Sequence, residues 1–506
     1  MTHTLLDLLA AGADAAPALA APGRPALNHA GLRALARRTV ESLNALGAGR
    51  GDRVAIVLAN GPEMAACFLS AACGVTTAPL NPAYRADEFE FYLTDLQARL
   101  LVVEHDSSSP AIEVAQRLGV RIVDLHPGEA AGDFSLRARD AGPSSPAAKP
   151  GPAQPEDIAM VLHTSGTTSR PKIVPLSQRN LCASAGNIAR TLAFTAADRG
   201  LNVMPLFHIH GLIAGVLAPV SAGSSVFCTP GFNALKFFAW TEEAQPTWYT
   251  AVPTMHQAIL SRASKNLEVI RRHPLRFIRS SSSSIPPQVI RELEEVFGAP
   301  LIEAYGMTEA THQMASNPLP PAVRKPGSVG LAAGPEVAIM GEDGTLLPRG
   351  EIGEIVIRGA NVTAGYESNP KANAEAFVNG WFRTGDQGTM DAEGYLSLTG
   401  RLKEIINRGG EKISPREVDE VLMDHPAVAQ VVCFAVPHPK LGEEVGAVVV
   451  LREGTPATER ELQAFCAQRL ADFKVPAQVI FMDEIPKGAT GKLQRIGLAA
   501  RLGLAG

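Results

Sequence analysis

The sequence is poor in cysteine, and its six cysteines are scattered without a Cys-x-x-Cys pair. A disulfide framework and a zinc site are therefore both disfavoured, and reduced, mostly buried thiols are expected. Positive charge is not in excess either, since 46 Lys and Arg stand against 51 Asp and Glu and the signs are interspersed. Binding a polyanion such as a nucleic acid is therefore excluded as the main task.

Long apolar runs are also missing. The longest uncharged apolar stretch near the middle, 211–223, is shorter than the roughly 18 to 20 residues that a membrane span requires. The first residues contain two aspartates and no Lys or Arg before Arg24, so a secretory signal is not expected. The last residues, RLGLAG, match no peroxisomal or retention signal. We expect a cytoplasmic protein without a membrane span, and the sequence leaves its oligomeric state open.

The chain does have enough length and apolar content for several cores. Its 506 residues predict roughly three folding units, and 46% hydrophobic with 19% charged residues excludes global disorder. Strand and helix signals alternate through the first 400 residues, which is typical of α/β proteins. The predicted fold class is therefore α/β, with a large N-terminal domain of layered α/β subdomains at 1–400 and a small C-terminal α+β domain at 401–506.

Three predicted strands of the large domain end in polar loops. The strand at 158–162 runs into HTSGTTSRPK, and helical periodicity resumes at Ser177, which predicts strand, loop and then helix. The strand at 275–279 enters five consecutive serines, and the strand at 301–305 enters GMTE. In open α/β sheets ligands bind beyond the carboxyl ends of the strands, so the three loops predict a single site.

Other elements are predicted from local patterns. Buried strand and helix signals occupy 53–58 and 62–73 in the large domain. In the small domain, Ser414 opens a capping box followed by a proline, which predicts a helix to Met423. Two strands at 427–436 and 445–451, a helix at 459–470 and a strand at 478–482 are predicted to complete this domain.

Several segments carry groups suited to nucleotide chemistry. The hydroxyls, glycine and lysine from Thr164 to Lys172 suit a phosphate loop, although the Walker A spacing is absent. The stretch from Tyr305 to Glu309 offers an aromatic face for a base, a hydroxyl for a phosphate and a carboxylate for Mg²⁺. Asp386 lies behind a glycine turn and suits ribose hydroxyls, and 487–492 is a glycine-flanked lysine loop. Each segment taken alone is as readily a solvated turn.

Taken together and in this order, the segments resemble the adenylate-forming superfamily of acyl-CoA synthetases, luciferases and peptide-synthetase adenylation domains. The resemblance covers nearly the whole chain. The similar segments are TSGTTSRPK (phosphate loop), PLFHIHG (aromatic/His segment), EAYGMTE (adenine and magnesium), WFRTGD (ribose aspartate), GRLKEIINRGGEKISP (hinge) and PKGATGK (catalytic lysine). Ser169 stands where the family loop often has glycine, which puts the local backbone shape of this loop in question but not its phosphate role.

The resemblance implies an enzyme that uses ATP, Mg²⁺ and CoA. A carboxylate attacks the α-phosphate to give an acyl-adenylate and pyrophosphate, and the CoA thiol then displaces AMP. Lys492 is implied as the adenylation lysine, and the small domain is implied to swing about a hinge near Lys403 between the two half-reactions.

The resemblance also implies which residues bind the cofactors. Thr308 and Glu309 are implied catalytic contacts to phosphate and Mg²⁺, with Thr167 as a second metal contact, and Gly409 and Gly410 are implied at the thiol channel. The implied nucleotide-binding residues are Thr164, Ser165, Gly166, Thr167, Thr168, Ser169, Lys172, Glu303, Ala304, Tyr305, Gly306, Met307, Asp386 and Arg401.

The predicted acid pocket is unusually polar. Serines fill 280–284, His208 and His210 flank Ile209, and His312 follows the Glu309 segment. Such donors suit a desolvated second carboxylate, although a histidine taken singly is more often structural. The acid contacts predicted here are His208, which is also a catalytic candidate, Ser281, Ser282, Ser283 and His312.

At finer grain, PLFHIHGL, WYTAVPTMHQ, RFIRSSSSS, EAYGMTEATHQMASNPLP and INRGGEKISP resemble the oxalate–CoA ligase branch of the superfamily. This resemblance implies oxalate as the acid. The alternatives are a ligase for another short acid such as malonate, a ligase for a medium-chain fatty acid, and a stand-alone adenylation enzyme that loads a carrier protein.

Overall fold

The computed structural model describes residues 3–140, 142, 145–164, 171–487 and 493–504. Within these ranges no helix is long and apolar enough to cross a membrane. The strands are β1 (Pro17–Ala21), β2 (Arg24–Asn28), β3 (Arg53–Val57), β4 (Thr76–Pro79), β5 (Leu100–Glu104), β6 (Arg121–Pro127), β7 (Phe134–Ala138), β8 (Ile158–Thr164), β9 (Lys172–Ser177), β10 (Arg199–Asn202), β11 (Ser225–Cys228), β12 (Trp248–Ala251), β13 (Phe277–Ser280), β14 (Leu301–Met307), β15 (His312–Ser316), β16 (Leu331–Ala332), β17 (Glu336–Met340), β18 (Ile352–Arg358), β19 (Phe377–Val378), β20 (Trp381–Met390), β21 (Leu396–Arg401), β22 (Ile406–Arg408), β23 (Glu411–Ile413), β24 (Val428–His438), β25 (Gly442–Leu451) and β26 (Gln478–Phe481).

The helices alternate with these strands over most of the chain. The α-helices are α1 (Leu5–Leu8), α2 (His29–Ala45), α3 (Pro62–Ala71), α4 (Ala86–Leu96), α5 (Pro110–Leu118), α6 (Gln178–Thr191), α7 (Ala218–Ser221), α8 (Phe237–Ala244), α9 (Pro253–Ala263), α10 (Leu267–Arg272), α11 (Pro287–Phe297), α12 (Pro370–Ala376), α13 (Pro415–Met423), α14 (Glu459–Ala467) and α15 (Leu498–Arg501). Short 3-10 helices span Leu9–Ala11, Thr308–Ala310 and Asp472–Lys474, and a π-helix spans His210–Leu217.

The strands form four sheets in the described residues. A nine-stranded sheet has the order β16-β15-β14-β13-β12-β10-β11-β1-β2, and a seven-stranded sheet has the order β7-β6-β5-β3-β4-β8-β9. A five-stranded sheet follows, in which β17-β18-β20-β19 are joined by β21. The C-terminal sheet contains β23-β22-β25-β24 with β26 beside β25. The strands β8, β13 and β14, which lead into the predicted site, therefore belong to two different sheets.

Helix α11 shows how the sequence pattern fixes the packing of these layers. Val289, Ile290, Leu293 and Phe297 recur at helical spacing and are all buried. They pack in one apolar core with β12 and β13 residues such as Tyr249 and Ile278. The helix begins with proline at its first position, where the missing N–H costs no hydrogen bond. This packing holds the serine loop between β13 and α11.

The predicted α/β layering is confirmed, but the prediction of strand, loop and then helix at the phosphate segment is wrong. Strand β9 follows the loop and pairs antiparallel with β8 before α6 begins. Val174 and Leu176 are buried in alternation, as a strand requires. Pro175 makes the segment unlike a strand in the sequence, because proline cannot donate a backbone hydrogen bond. The proline is tolerated here because β9 is at the edge of its sheet.

The capping box predicted at Ser414 is also wrong. Helix α13 begins with Pro415 as expected, but the Ser414 side chain makes no capping hydrogen bond. Its hydroxyl donates instead to the carbonyl oxygen of Thr399 on β21. Arg416 Nη1 donates to the carbonyl of Leu398 at 2.9 Å. The first turn of the helix is therefore tied to the preceding sheet.

Candidate active site

Tyr305, Asp386 and Arg401 form one hydrogen-bonded group at the end of β14. Tyr305 Oη donates to Asp386 Oδ2 at 2.5 Å, and Arg401 Nε donates to Oδ1 at 2.9 Å. Asp386 stands directly opposite Arg401 in the β20–β21 pair, so the strand register places them. The Asp386 charge raises the pKa of Arg401. The structure thus brings the predicted adenine and ribose residues together.

Glu309 lies in the 3-10 helix Thr308–Ala310 directly after β14 and is buried, while Thr308 is half-buried. Burial raises the pKa of the Glu309 carboxyl. Tyr366 Oη donates to Glu309 Oε1 at 2.8 Å, and Lys172 Nζ lies 4.4 Å from the centre of the Tyr366 ring. The end of the phosphate segment and Glu309 therefore meet at Tyr366, although they come from different sheets. Sequence analysis missed Tyr366.

The phosphate segment is described at its two ends. Thr164 and Lys172 stand opposite each other in the β8–β9 pair, so the loop leaves and returns at one point. The predicted contacts within the loop lie outside the described residues and stay predictions: Ser165, Gly166, Thr167, Thr168 and Ser169.

The remaining nucleotide candidates lie along β14. A Cβ atom on Gly306 would lie 1.7 Å from the carbonyl oxygen of His312, so the pairing of β14 with β15 requires glycine there. Met307 stands opposite His312 in the same pair. Glu303 is buried and accepts the backbone N–H of Gly327 at 3.2 Å. Its burial raises the pKa of the carboxyl to about 8.

Two histidines and a serine meet in the region of the predicted acid pocket. His210 Nδ1 lies 3.0 Å from Ser282 Oγ, and His210 Nε2 lies 2.7 Å from Thr250 Oγ1. The imidazoles of His210 and His312 stack with centres 4.9 Å apart. Ser282 has a φ of +74°, a left-handed conformation that is strained for a residue with a side chain. We name His210, Ser282 and His312 the donor cluster.

The structure brings only some of the predicted acid contacts together. Ser281 is buried, and its hydroxyl donates to the carbonyl of Ala304 at 2.9 Å, whereas Ser283 is exposed. His208 is half-buried, and its Nδ1 accepts the backbone N–H of His210 at 3.3 Å. Ser282 and His312 are thus brought together with His210, which sequence analysis noted but did not choose.

A family model described as AMP-binding enzyme matches residues 10–367, and a model described as AMP-binding enzyme C-terminal domain matches residues 417–492. The chain belongs to the AMP-binding enzyme family. It is 48% identical to an oxalate–CoA ligase of Arabidopsis thaliana, over 94% of each chain. It is 43% identical to an oxalate–CoA ligase of Saccharomyces cerevisiae, over 88% of this chain and 86% of the relative.

Among solved structures, ATP-bound MatB from Rhodopseudomonas palustris matches with a TM-score of 0.87 and 30% identity, over 99% of each chain. These comparisons confirm the resemblance to the adenylate-forming superfamily and to its oxalate–CoA ligase branch. They also confirm the predicted α/β architecture with a C-terminal domain, and the predicted class of enzyme, an AMP-forming acid–CoA ligase.

Sequence analysis missed a second residue of this AMP-binding enzyme, Arg279. It is fully buried on β13, where Nη1 donates to His210 Nε2 at 3.3 Å and Nη2 donates to Gln313 Oε1 at 3.2 Å. Burial lowers the pKa of its guanidinium to about 9. In the part of the chain that the structure describes, Nε has no hydrogen-bond partner. The available signal was an arginine inside the apolar strand FIRS.

Lys487, the first residue of the lysine loop, borders an apolar cavity. Lys492 itself lies outside the described residues, so its role stays a prediction. Lys487 pairs with Leu493 in an antiparallel bridge. Lys487 also lines a cavity of about 380 Å³ together with Phe207, the neighbour of His208. The other walls of this cavity are mostly apolar and include Leu58, Met64, Val203, Phe232 and Met255.

The predicted thiol-channel residues lie in the C-terminal sheet. Gly409 and Gly410 form the turn between β22 and β23, with φ values of +61° and +100°. The backbone N–H of Gly409 donates to the carbonyl of Leu441 at 2.8 Å. Positive φ at two consecutive positions is readily adopted by glycine, so the turn explains both glycines without assigning them to CoA.

Proposed function

We propose that this AMP-binding enzyme is an ATP-dependent oxalate–CoA ligase. The observation that carries the proposal is the donor cluster, which gathers two imidazoles and a hydroxyl beside the buried cation Arg279. A fatty acyl chain would need apolar walls, whereas a small dianion offsets the cost of burying such donors. The 48% and 43% identity to two oxalate–CoA ligases supports the same substrate.

The position of the donor cluster fits the shortness of oxalate. Its second carboxylate is one carbon–carbon bond from the reacting one, so the donors must lie close to the adenylation centre. Glu309 lies in the short connection between β14 and β15, and His312 is the first residue of β15. His312 stacks on His210, so the cluster begins three residues after Glu309.

In the proposed reaction an oxalate oxygen attacks the α-phosphorus of ATP, and the bond to pyrophosphate breaks. The thiol of CoA then attacks the carbonyl carbon of the adenylate, loses its proton and displaces AMP. Asp386 and Arg401 bind the ribose, Tyr305 flanks adenine, and Lys172 faces the phosphates. Lys492 offsets the negative charge that accumulates when two anions react.

The residues present fit a magnesium ion. Mg²⁺ is commonly held by one or two carboxylates together with substrate phosphates. Glu309 offers a buried carboxylate whose charge is disfavoured by desolvation, and a cation there would relieve that penalty. We propose that Glu309 and Thr308, with Thr167, hold Mg²⁺, which neutralises charge on the ATP phosphates when bound.

We further propose that residues 401–506 act as the mobile domain. The hinge near Lys403 would present Lys492 for adenylation and the turn at Gly409–Gly410 for thioester formation. The pairing of Lys487 beside the cavity supports the first of these arrangements. A reducing cytoplasmic compartment is also proposed, because all six cysteines are free and buried.

One observation favours a different acid. The apolar cavity of about 380 Å³ beside Phe207 has the size and lining of a site for a medium-chain fatty acid. We assign it to the approach of the CoA thiol instead, because the donor cluster offers no apolar wall for an acyl chain. A carrier-loading enzyme would share the adenylation site but would transfer the acyl group to the thiol of a carrier protein, so that its release of AMP would require the carrier and not free CoA.

A panel of acids tests these alternatives. AMP formation is measured with oxalate, malonate, acetate and octanoate, each with and without CoA. We expect oxalate to be strongly preferred over acetate, by up to roughly 10⁴ in kcat/KM, because donors built for a second carboxylate stay unpaired with acetate. We also expect turnover to depend on CoA.

Two serine variants test whether Ser282 contributes to the preference for oxalate. Ser282→Ala should reduce the preference for oxalate, whereas Ser283→Ala, at an exposed neighbouring position, should not. A wild-type enzyme that turns over octanoate or acetate faster than oxalate would contradict the proposed substrate. Turnover that is independent of CoA would instead contradict its proposed role as acceptor.

A further inference from the structure

The guanidinium of Arg279 is placed where a cation is costly. It is fully buried, its pKa stays high enough for it to be charged at neutral pH, and no carboxylate forms an ion pair with it among the described residues. Moving a charge out of water without a partner of opposite charge is strongly unfavourable. A core that needed only to fill this space would be more stable with an apolar side chain of similar volume. The charge therefore calls for an explanation beyond packing.

The contacts of Arg279 fix the protonation of its neighbour. An arginine has donors only, so the His210 Nε2 atom that faces Nη1 at 3.3 Å must accept. The Thr250 hydroxyl, 2.7 Å from the same atom, is able to donate to it as well. The proton of neutral His210 is then on Nδ1, which faces Ser282 Oγ at 3.0 Å. A second proton on His210 would point at the guanidinium and is disfavoured by its charge.

The position of the proton on His210 determines how Ser282 can form hydrogen bonds. Its oxygen accepts from His210 Nδ1–H, so its own hydroxyl proton must be directed at a different acceptor. The contact with His210 Nδ1 at 3.0 Å locates the serine oxygen, and the backbone of Ser282 is left-handed at φ +74°. We propose that Arg279 is a positioning residue for the second carboxylate of the substrate: it locks His210 as the Nδ1–H tautomer, and Ser282 is thereby set to donate to that carboxylate. We call the contacts that lead from Arg279 through His210 to Ser282 the relay. This inference rests on the proposed function.

The opposite tautomer would give the opposite result. With a proton on Nε2, His210 would face Arg279 donor to donor, and its bare Nδ1 would accept the Ser282 proton. The serine would then present only lone pairs to a carboxylate, which would be repelled. The Nη1 donor that Arg279 directs at His210 thus decides whether the serine attracts or repels an anion.

Steady-state kinetics test the relay. The quantity is the ratio of kcat/KM for oxalate to that for acetate, followed by AMP release. Arg279→Met should lower this ratio by roughly 10- to 100-fold, as expected for one charge-assisted hydrogen bond. Arg279→Lys keeps a cation that can donate to Nε2 and should recover most of the ratio. Arg276→Met is the matched control, because Arg276 lies just before the same strand and is paired with Asp198.

A double-mutant cycle separates the relay from a direct contact. In the Ser282→Ala background, Arg279→Met should change the ratio by less than about threefold, because the hydroxyl through which it acts is gone. If Arg279→Met lowered the oxalate-to-acetate ratio by the same factor in the wild type and in Ser282→Ala, the relay would be overturned. Equal losses for oxalate and acetate in Arg279→Met would show a purely structural role and would also overturn it.

A spectroscopic measurement on the wild-type enzyme tests the same inference without substrate, and it does not depend on whether Arg279→Met folds. Nitrogen-15 NMR of the histidine-labelled wild-type enzyme, with His210 assigned by comparison with His210→Asn, reports which ring nitrogen carries the proton. The Nδ1–H tautomer is expected, and an Nε2–H or doubly protonated ring at neutral pH would overturn the inference. A wild-type enzyme without preference for oxalate would contradict the proposed function alone, and this spectrum would still decide the tautomer.

Discussion

Glu309→Gln separates the catalytic role of this carboxylate from its role in the fold. The change keeps the shape of the side chain and removes its charge. The amide oxygen can still accept from Tyr366 Oη, which lies 2.8 Å from Glu309 Oε1 in the wild type. Because the wild-type carboxyl is buried and its pKa is raised by burial, removing the charge also removes a desolvation penalty. We therefore expect thermal stability without ligands to stay level or to rise slightly.

The expected loss of activity is large by comparison. One preorganised charge contact at a reacting phosphate is worth about 10² to 10³ in rate, or about 2.7 to 4 kcal/mol. The pathway from Lys172 through Tyr366 to Glu309 stays intact in the variant, so the loss should come from the metal contact. The dependence on Mg²⁺ should accordingly move to higher concentration.

The assay is ATP-dependent AMP formation across a magnesium titration, with thermal melting of the ligand-free protein in parallel. Tyr366→Phe is the matched control, since it removes the hydrogen bond and keeps the carboxylate. It should lose much less activity than Glu309→Gln. A melting temperature that collapses in Glu309→Gln, or activity that falls without any change in magnesium dependence, would refute the reasoning.

Three further predictions concern other parts of the site. Lys492→Ala should slow adenylation by about 10² to 10³ and spare thioester formation from supplied acyl-adenylate, and equal loss in both half-reactions would contradict its assignment. His312→Ala should reduce the preference for oxalate over acetate more than it slows acetate itself, as the acid panel would show. Glu303 has a folded pKa of about 8 against an ordinary 4.5, so wild-type stability should fall as pH rises between these values. The gain in melting temperature of Glu303→Gln over wild type should therefore grow from pH 5 to pH 8 and then level off, and a constant difference would contradict it.

The sequence predicted those parts of the site that depend on short contiguous segments. The α/β layering, the polar exits of β13 and β14 and the helix at Pro415 follow from local periodicity and from the special backbone of proline. Asp386 and Arg401 were found by resemblance, and the register of β20 and β21 accounts for their contact. Strand β9 was missed because Pro175 breaks a strand pattern except at a sheet edge, and edge position is not a local property.

The parts that escaped prediction depend on contacts between distant segments. Tyr366 lies 57 residues from Glu309 along the chain, and no local pattern marks it as a partner. The five serines are equivalent in sequence, yet the turn after β13 buries Ser281, exposes Ser283 and aims Ser282 at a histidine. The sequence also does not show that His210 rather than His208 enters the cluster, since this depends on the π-helix that starts at His210, and the role of His208 stays a prediction.

The buried charge on Arg279 finally bears on why the donor cluster exists at all. A fold gains nothing from an arginine without an acidic partner, because the desolvation of its charge costs more than two hydrogen bonds to uncharged acceptors return. His312 at φ +95°, the left-handed Ser282 and Gly306 packed against β15 add strain and constraint in the same small region. Costs of this kind concentrate at functional sites, where a ligand offsets them. An anion with two charges in a small volume would offset all of them at once, and a monocarboxylate would leave the second set of donors unpaired. The same arrangement that weakens the empty site is therefore what makes it selective.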